Sequence, residues 1–136
     1  MQHKTTLFII TGFLLASCAV LPDLGIKSTK SGYDMISVSE LQGLLESEEF
    51  TFVNVHIPLE GNISETDAEI PFNKIENYLD LLPEDKDEKV VIYCRSGSMG
   101  NTASQTLVDL GYTDVSNLEG GYNAWNANGL PFEEKL

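Results

Sequence analysis

Basic residues are scarce in this chain. Its 136 residues include 8 lysines and arginines against 21 aspartates and glutamates, which gives a formal net charge of −13. A chain this acidic is repelled by nucleic acid and by anionic lipid headgroups, so we expect neither as a partner. The hydrophobic content of 42% is enough to bury one core but not two. We therefore expect one globular domain with an acidic, solvated surface.

A long apolar run is also missing. The stretch Leu7–Leu15 is interrupted by polar and small residues, and it falls short of the roughly 20 apolar residues that a membrane-spanning helix needs. Residues 1–17 instead have the basic start, apolar middle and small-residue end of a secretory signal peptide. The stretch Leu15–Cys18 resembles the lipobox of bacterial lipoproteins, in which the cysteine carries the lipid. Cys18 is therefore the predicted lipidation site, and the alternative is an ordinary signal peptide followed by a stray cysteine.

These features predict the layout and the location of the chain. Residues 18–32 mix proline, glycine, serine and lysine without an apolar period, and we interpret them as the lipidated cysteine and a tether. Residues 33–136 would form the folded domain. We expect an exported protein that is lipid-anchored at the cell envelope, on the periplasmic side or at the cell surface, and that meets the membrane through this anchor.

Cysteine is scarce as well, since Cys18 and Cys94 are the only two in the chain. If Cys18 carries a lipid, Cys94 has no partner for an internal disulfide. Cys94 also lacks a second cysteine that could resolve an oxidised form. Any thiol exchange at Cys94 would therefore need an external thiol.

Short apolar runs rich in β-branched residues alternate with segments of helical periodicity. The predicted strands are an extended piece at 33–38 and runs at 51–55, 90–93 and 114–118. The predicted helices are one through 41–45 opened by a Ser39–Gln42 capping box, one at 71–82 with Pro71 in its first position, one at 101–110 and a short one carrying Trp125 as a core residue. We expect an irregular segment at 56–71 and a tight turn at Gly120-Gly121, with Gly129 and Pro131 closing the domain. This alternation predicts an α/β fold with a parallel sheet and helices on both faces. In such folds ligands bind at the carboxyl ends of the strands.

Cys94 lies at such an end, directly after the predicted strand Val90–Tyr93. The loop after it leads into a helix, whose free amide N–H groups and dipole favour anions and would favour a thiolate over a thiol. Arg95 is the only arginine in the chain, and it places a cation beside this candidate nucleophile. The alternatives are that Cys94 is a small buried hydrophobic residue and that Arg95 only points into solvent.

Three stretches of the chain carry a family resemblance: Phe52–His56, Val91–Gly97, and Leu118–Trp125 ahead of Gly129–Pro131. In this order they resemble the single-domain rhodaneses, a family of sulfurtransferases, and the similarity extends from Ile36 to Pro131. The resemblance implies a central parallel sheet of about five strands with helices on both faces. It also implies a persulfide carried on the loop cysteine, with no metal ion and no organic cofactor.

The resemblance also assigns roles to the residues of the loop. Cys94 would be the nucleophile that takes a sulfane sulfur from thiosulfate, a polysulfide or a persulfide and passes it to a thiophilic acceptor, which could be a protein. The substrate-binding residues would be the six that follow it: Arg95, Ser96, Gly97, Ser98, Met99 and Gly100.

This loop departs from the family pattern at two positions. Met99 stands where the family commonly has an arginine, and Gly100 replaces a usual hydroxyl residue. The missing cation should weaken the binding of a doubly charged donor such as thiosulfate. Asn54 and His56 likewise occupy positions where a charged pair is frequent, so we expect no buried ion pair there.

Two other functional classes compete with the sulfurtransferase. One is a non-catalytic rhodanese-like module that binds a partner or senses thiols at the cell envelope. The other is a phosphatase of the cysteine-plus-arginine kind, which is the weaker hypothesis because neither Met99 nor Gly100 can grip a phosphate. We interpret His56 as a hydrogen-bonded structural residue rather than a base. Thr66 and Asp67 could face the site, although ordinary loop polarity explains them equally well.

Overall fold

The computed structural model describes residues 32–136. The predicted signal peptide, the lipidation site Cys18 and the tether lie outside the described residues, apart from Gly32. The elements in chain order are β1 Asp34–Ile36, α1 Val38–Ser47, β2 Thr51–Asn54, β3 Gly61–Ile63, β4 Ala68–Glu69, a 3₁₀ helix Ile75–Leu81, β5 Val90–Tyr93, α2 Ser98–Asp109, β6 Val115–Leu118, α3 Gly121–Ala127 and β7 Phe132–Glu134. None of the helices in residues 32–136 has the length and apolar character needed to cross a membrane.

Five parallel strands form the central sheet, in the order β1-β6-β5-β2-β4. This arrangement confirms the predicted α/β fold with a parallel sheet. Strand β5 is in the middle, where Ile92 lies opposite Val53 of β2 on one side and Asn117 of β6 on the other. All four residues of β5 are buried, as its unbroken run of β-branched and aromatic side chains predicts. Cys94 therefore follows the central strand of the sheet.

Each face of the sheet packs against its own helices. Val90, Ile92 and Cys94 belong to the apolar cluster that also contains Ala103 and Leu107 of α2. The alternate residues of β5 belong to a second cluster with Leu41 of α1 and with Tyr122 and Trp125 of α3. Successive strand residues point to opposite faces. Cys94 consequently lies on the same face of the sheet as α2, and Trp125 is a core residue as predicted.

Helix α1 begins earlier than the sequence pattern suggested. Its capping box is Ser37 and Glu40: the Ser37 hydroxyl accepts from the Glu40 N–H at 3.2 Å, and the Glu40 carboxylate accepts from the Ser37 N–H at 2.7 Å. The predicted Ser39–Gln42 box is therefore wrong. When the helix starts at Val38, both Val38 and Leu41 are buried. The Ser37–Glu40 pair is therefore the capping box that turns the apolar face of the helix towards the core.

The segment predicted as irregular, residues 56–71, contains two strands. Strand β4 pairs with β2 and supplies the fifth strand of the parallel sheet, whereas β3 pairs antiparallel with β7. The domain does not close at Pro131, because Phe132–Glu134 continues as β7. Both strands of this small sheet are three residues long and far apart in sequence, so neither has the length that makes a strand visible in a local pattern.

The helix predicted at 71–82 is also wrong. The chain forms instead a 3₁₀ helix from Ile75 to Leu81, with a non-helical kink at Tyr78, and Pro71 precedes it. Only Ile75 of this helix is buried, while Tyr78, Leu79 and Leu81 are exposed. The spacing of the apolar residues suggested a longer, regular helix because it shows neither the kink at Tyr78 nor the exposure of several of these side chains.

Candidate active site

Cys94 lies at the carboxyl end of β5 and is 1% exposed. The Gly97 N–H donates a hydrogen bond to its Sγ at 3.0 Å. Gly97 is the N-cap of α2 and has a φ of +111°, so the chain turns back over the sulfur before the helix begins. The thiol is therefore buried, but it is buried beneath a backbone N–H donor and not in a wholly apolar cavity.

The loop after Cys94 is shorter than predicted, because α2 already begins at Ser98. The amides of the first helical turn have no carbonyl partner within the helix, and they give this end of α2 its capacity to attract anions. Ser96 and Ser98 are exposed, Gly97 is buried, and the half-buried Met99 packs against the apolar cluster beneath α2. The Met99 side chain is thus a core contact, so a substrate would meet this residue through its backbone.

Asn117 is a site residue that sequence reasoning missed. Its carboxamide, which is completely buried, donates to the Gly97 carbonyl at 3.3 Å and to the Asn101 side chain at 2.9 Å. Gly100 packs so closely that an added Cβ would lie 2.2 Å from the Asn117 oxygen. Asn117 therefore holds the turn over Cys94 from below. The available signal was its polar amide side chain, which needs hydrogen-bond partners, in a strand that is buried along its whole length.

The turn at Gly120-Gly121 holds the same loop from the other side, and this confirms its prediction as a tight turn. The Tyr122 N–H donates to the Cys94 carbonyl at 2.9 Å, and the Asn123 N–H donates to the Arg95 carbonyl at 3.0 Å. Gly121 has a φ of +57°, and a Cβ there would lie 2.2 Å from the Cys94 oxygen. Only glycine permits this close approach of the two backbones.

The Arg95 side chain is paired with a carboxylate. Its Nη1 lies 3.3 Å from Glu60 Oε1, and the two side chains are 55% and 40% exposed. The Tyr122 hydroxyl donates to the other Glu60 oxygen, and His56 Nε2 lies 3.8 Å from that same oxygen. Glu60 is a second residue that sequence reasoning missed, because nothing in its local pattern connects it with Arg95.

These contacts shift two pKa values. The Tyr122 hydrogen bond, helped by the charges of Arg95 and His56, lowers the pKa of the Glu60 carboxyl group below its ordinary value. Burial, reinforced by the adjacent Glu60 carboxylate, raises the pKa of the Tyr122 hydroxyl. At neutral pH Glu60 therefore carries a negative charge, and Tyr122 remains a neutral hydrogen-bond donor.

His56 lies beside this cluster, with its side chain 9% exposed and its ring edge-on to Tyr122 at a centroid distance of 5.7 Å. Its two ring nitrogens are buried and have no hydrogen-bond partner within residues 32–136. The expectation of a hydrogen-bonded side chain is therefore wrong, since only the backbone N–H is bonded, to the Asn54 side chain at 3.0 Å. Asn54 otherwise donates to the Gly61 carbonyl and to the Asn62 side chain, so amide groups form the bonds at this position, where the related family frequently has one member of a charged pair.

Thr66 and Asp67 serve the opposite face of the sheet. The Thr66 hydroxyl lies 2.7 Å from the Tyr93 hydroxyl, and the Asp67 carboxylate accepts from the Phe52 N–H at 2.8 Å. Tyr93 and Phe52 both belong to the cluster that packs against α1 and α3. These structural hydrogen bonds explain why polar residues stand at positions 66 and 67.

Comparison with known proteins identifies the family. Residues 35–128 match the model of the rhodanese-like domain. The chain belongs to the rhodanese-like family. This rhodanese-like chain is 38% identical over 98 residues to a protein from Allochromatium vinosum named sulfurtransferase, a match that covers 70% of this chain and 89% of that protein. It is 28% identical over 97 residues to the thiosulfate sulfurtransferase GlpE of Shewanella oneidensis, covering 71% and 95%.

Solved structures agree with this assignment. The crystal structure of a rhodanese-related protein from Thermoplasma volcanium superimposes with a TM-score of 0.62 at 25% identity, covering 74% of this chain and 97% of that one. Two further relatives are longer proteins, in which the match spans only 27% and 26% of the length. The rhodanese-like domain is therefore found both as a small protein and as part of larger ones.

The rhodanese-like fold brings most of the predicted site residues together. Cys94, Gly97 and the start of α2 lie together, and the Gly97 N–H is the donor that contacts the sulfur. The Arg95 side chain instead lies against Glu60. Within residues 32–136 no group of three or more histidine, cysteine, aspartate or glutamate side chains is placed to hold a metal ion. The arrangement offers a thiol, backbone N–H donors and one ion pair for chemistry.

Proposed function

We propose that this rhodanese-like protein is a sulfurtransferase that carries a sulfane sulfur on Cys94. The observation that supports this most directly is the 3.0 Å hydrogen bond from the Gly97 N–H to the Cys94 sulfur at the start of α2. A donor at this distance stabilises negative charge on sulfur, whether it belongs to the thiolate or to a bound persulfide. The sulfurtransferase names of two relatives support the same reaction class.

The proposed reaction has two displacement steps. In the first, the Cys94 thiolate attacks the sulfane sulfur of a small donor, the new S–S bond forms, and the donor leaves as an anion. In the second, a thiophilic acceptor attacks the outer sulfur and releases the Cys94 thiolate. The predicted substrate-binding residues Arg95 to Gly100 would contribute mainly through backbone amides, because the Arg95 side chain is paired with Glu60 and that of Met99 packs in the core.

We also propose that the protein works at the cell envelope, anchored by a lipid on Cys18. The support is the lipobox-like stretch Leu15–Cys18 at the end of a signal-like segment. In that location Cys94 would exchange sulfur with donors and acceptors outside the cytoplasm, and a protein acceptor is one of the candidates.

The first test is sulfur loading of the purified protein. Incubation with thiosulfate, a polysulfide or a small hydropersulfide should add one sulfur atom to Cys94, which intact-mass measurement and peptide mapping would detect. Cys94→Ser should gain nothing. Cys18→Ser is the matched control, because it removes the other cysteine and keeps Cys94. A wild-type thiol that stays unmodified with all three donors would contradict the proposal.

A non-catalytic binding or thiol-sensing module is the second candidate. The observation that favours it is the nearly complete burial of the Cys94 side chain, which a donor must reach. In this case Cys94→Ser should preserve capture of a partner protein, whereas a sulfurtransferase should lose its output with the same substitution. A pull-down from envelope extracts with both proteins, followed by persulfide labelling of the captured partner, separates the two.

A further inference from the structure

Glu60 is a carboxylate that contacts the residues around the candidate active-site loop. It is half-exposed, and its carboxylate contacts three groups around the loop: Arg95, the Tyr122 hydroxyl and, at 3.8 Å, His56. Tyr122 is itself bonded through its N–H to the Cys94 carbonyl. Glu60 is therefore linked through Tyr122 to the backbone carbonyl of Cys94.

Arg95 is the only cationic side chain between Cys94 and Gly100, and it is the only arginine in the sequence. Its pairing with Glu60 at 3.3 Å neutralises the one positive charge on the loop. The remaining attraction for an anion comes from backbone amides and the dipole of α2, which are partial charges. A dianion would therefore meet an opposing carboxylate with no free cation on the loop to balance it.

We infer that Glu60 is a specificity-determining residue, which disfavours thiosulfate and leaves the site better suited to a small hydropersulfide with an uncharged carbon chain. This inference rests on the proposed sulfurtransferase function and adds the class of donor to it. The lowered pKa of Glu60 keeps the carboxylate charged at neutral pH.

The loading step balances without any other reactant. The Cys94 thiolate attacks the terminal sulfur of the protonated hydropersulfide, R–S–S–H. A bond forms between Cys94 Sγ and that sulfur, the S–S bond of the donor breaks, and the thiolate R–S⁻ leaves with the bonding electron pair. The products are Cys94–S–S–H and R–S⁻, so the proton stays on the transferred sulfur and the total charge is unchanged.

The test measures how fast Cys94 gains sulfur from two probes, thiosulfate and 2-hydroxyethyl hydropersulfide generated from its disulfide and sulfide. The readout is the ratio of the two second-order rate constants in the full chain. Glu60→Gln keeps the size of the side chain and removes its charge. We expect this variant to raise the ratio of thiosulfate to hydropersulfide by about tenfold, which is the effect of one carboxylate on a nearby dianion in water-like surroundings.

Glu48→Gln is the matched control. Glu48 is also a half-exposed carboxylate in an ion pair, 3.8 Å from Lys89, and Lys89 lies at the amino end of β5, opposite Cys94. This variant makes the same change in net charge and should leave the ratio within about twofold of the wild-type value. A Glu60→Gln ratio that is also within twofold would overturn the inference, provided that the hydropersulfide loads Cys94.

A second measurement needs no variant. If the loop has no free cation, added salt should leave thiosulfate loading of the wild-type protein unchanged or faster. The attraction from the backbone amides and the α2 dipole comes only from partial charges, and the negative net charge of the chain repels the dianion until salt screens it. Loading that slows with salt would contradict the role of Glu60. If neither probe loads Cys94 in any variant and a polysulfide does not load it either, the sulfurtransferase proposal itself is wrong.

Discussion

Replacing Gly121 with alanine tests whether the second turn really holds the active loop in place. A Cβ at this position would lie 2.2 Å from the Cys94 oxygen and 2.6 Å from two backbone atoms of Arg95, far inside van der Waals contact. The turn and the loop must therefore separate. Their separation would break the hydrogen bonds from Tyr122 and Asn123 to the Cys94 and Arg95 carbonyls.

The size of the effect follows from two contributions. A left-handed conformation costs a non-glycine residue about 1 to 2 kcal/mol, and each lost hydrogen bond costs about 1 kcal/mol. Gly121→Ala should therefore lower the free energy of unfolding by about 3 to 4 kcal/mol. Gly129 is the matched control, because it also has a positive φ, +73°, but a Cβ there meets nothing within 4 Å. Gly129→Ala should cost only the conformational part, about 1 to 2 kcal/mol.

Urea unfolding of both variants measures the difference directly. A second readout is the reaction of Cys94 with an aromatic disulfide reagent, in a Cys18→Ser background where Cys94 is the only thiol. Displacing the loop exposes the buried sulfur, so Gly121→Ala should react faster than wild type and Gly129→Ala should not. Equal stabilities for the two alanine variants would refute the close contact between the turn and the loop.

Two further substitutions test the polar groups beneath the sheet and the loop. Tyr93→Phe should lower stability by about 1 to 3 kcal/mol, because it leaves the Ile63 N–H, now bonded to the hydroxyl at 3.0 Å, without its partner. Burial raises the Tyr93 pKa from 10.0 to about 12, so the contribution of the neutral hydroxyl to folding stability is present below pH 10 and is lost as the pH rises towards 12. The free energy of unfolding should therefore fall less with rising alkaline pH in Tyr93→Phe than in the wild-type protein. Asn117→Ala should release the Gly97 carbonyl and speed Cys94 labelling, and an unchanged labelling rate would show that Asn117 does not hold the loop.

The central strand and its cysteine could be predicted from the sequence because their signals are local. The run Val90–Tyr93 is β-branched or aromatic throughout and lies between charged and small residues, and burial on both faces needs that composition. The helical spacing after it located α2, although the helix begins at Ser98 and not at Asn101. A glycine in a left-handed conformation is sufficient to cap the helix there, so no side-chain signal marked its start.

The contacts that complete the site could not be predicted, because they join residues that are distant in sequence. Glu60 and Arg95 meet only after β2, β5 and the intervening segment have taken their places. Strand β4 has two residues and is defined by its pairing with the edge of β2. Local periodicity reports which side of an element is buried, and it carries no information about which polar groups meet across a fold.

The alternation of side chains along β5 has a consequence for how much the neighbourhood of Cys94 can vary. Val90, Ile92 and Cys94 share one layer of the protein, and Val91 and Tyr93 share the other. Inserting or deleting one residue within the strand would reverse this parity and carry the sulfur away from the N-terminus of α2, whereas a change of two residues would preserve it. A change in the length of the strand before the cysteine must therefore be of two residues to keep the sulfur on the side of α2. This restriction does not apply to the turn after the cysteine.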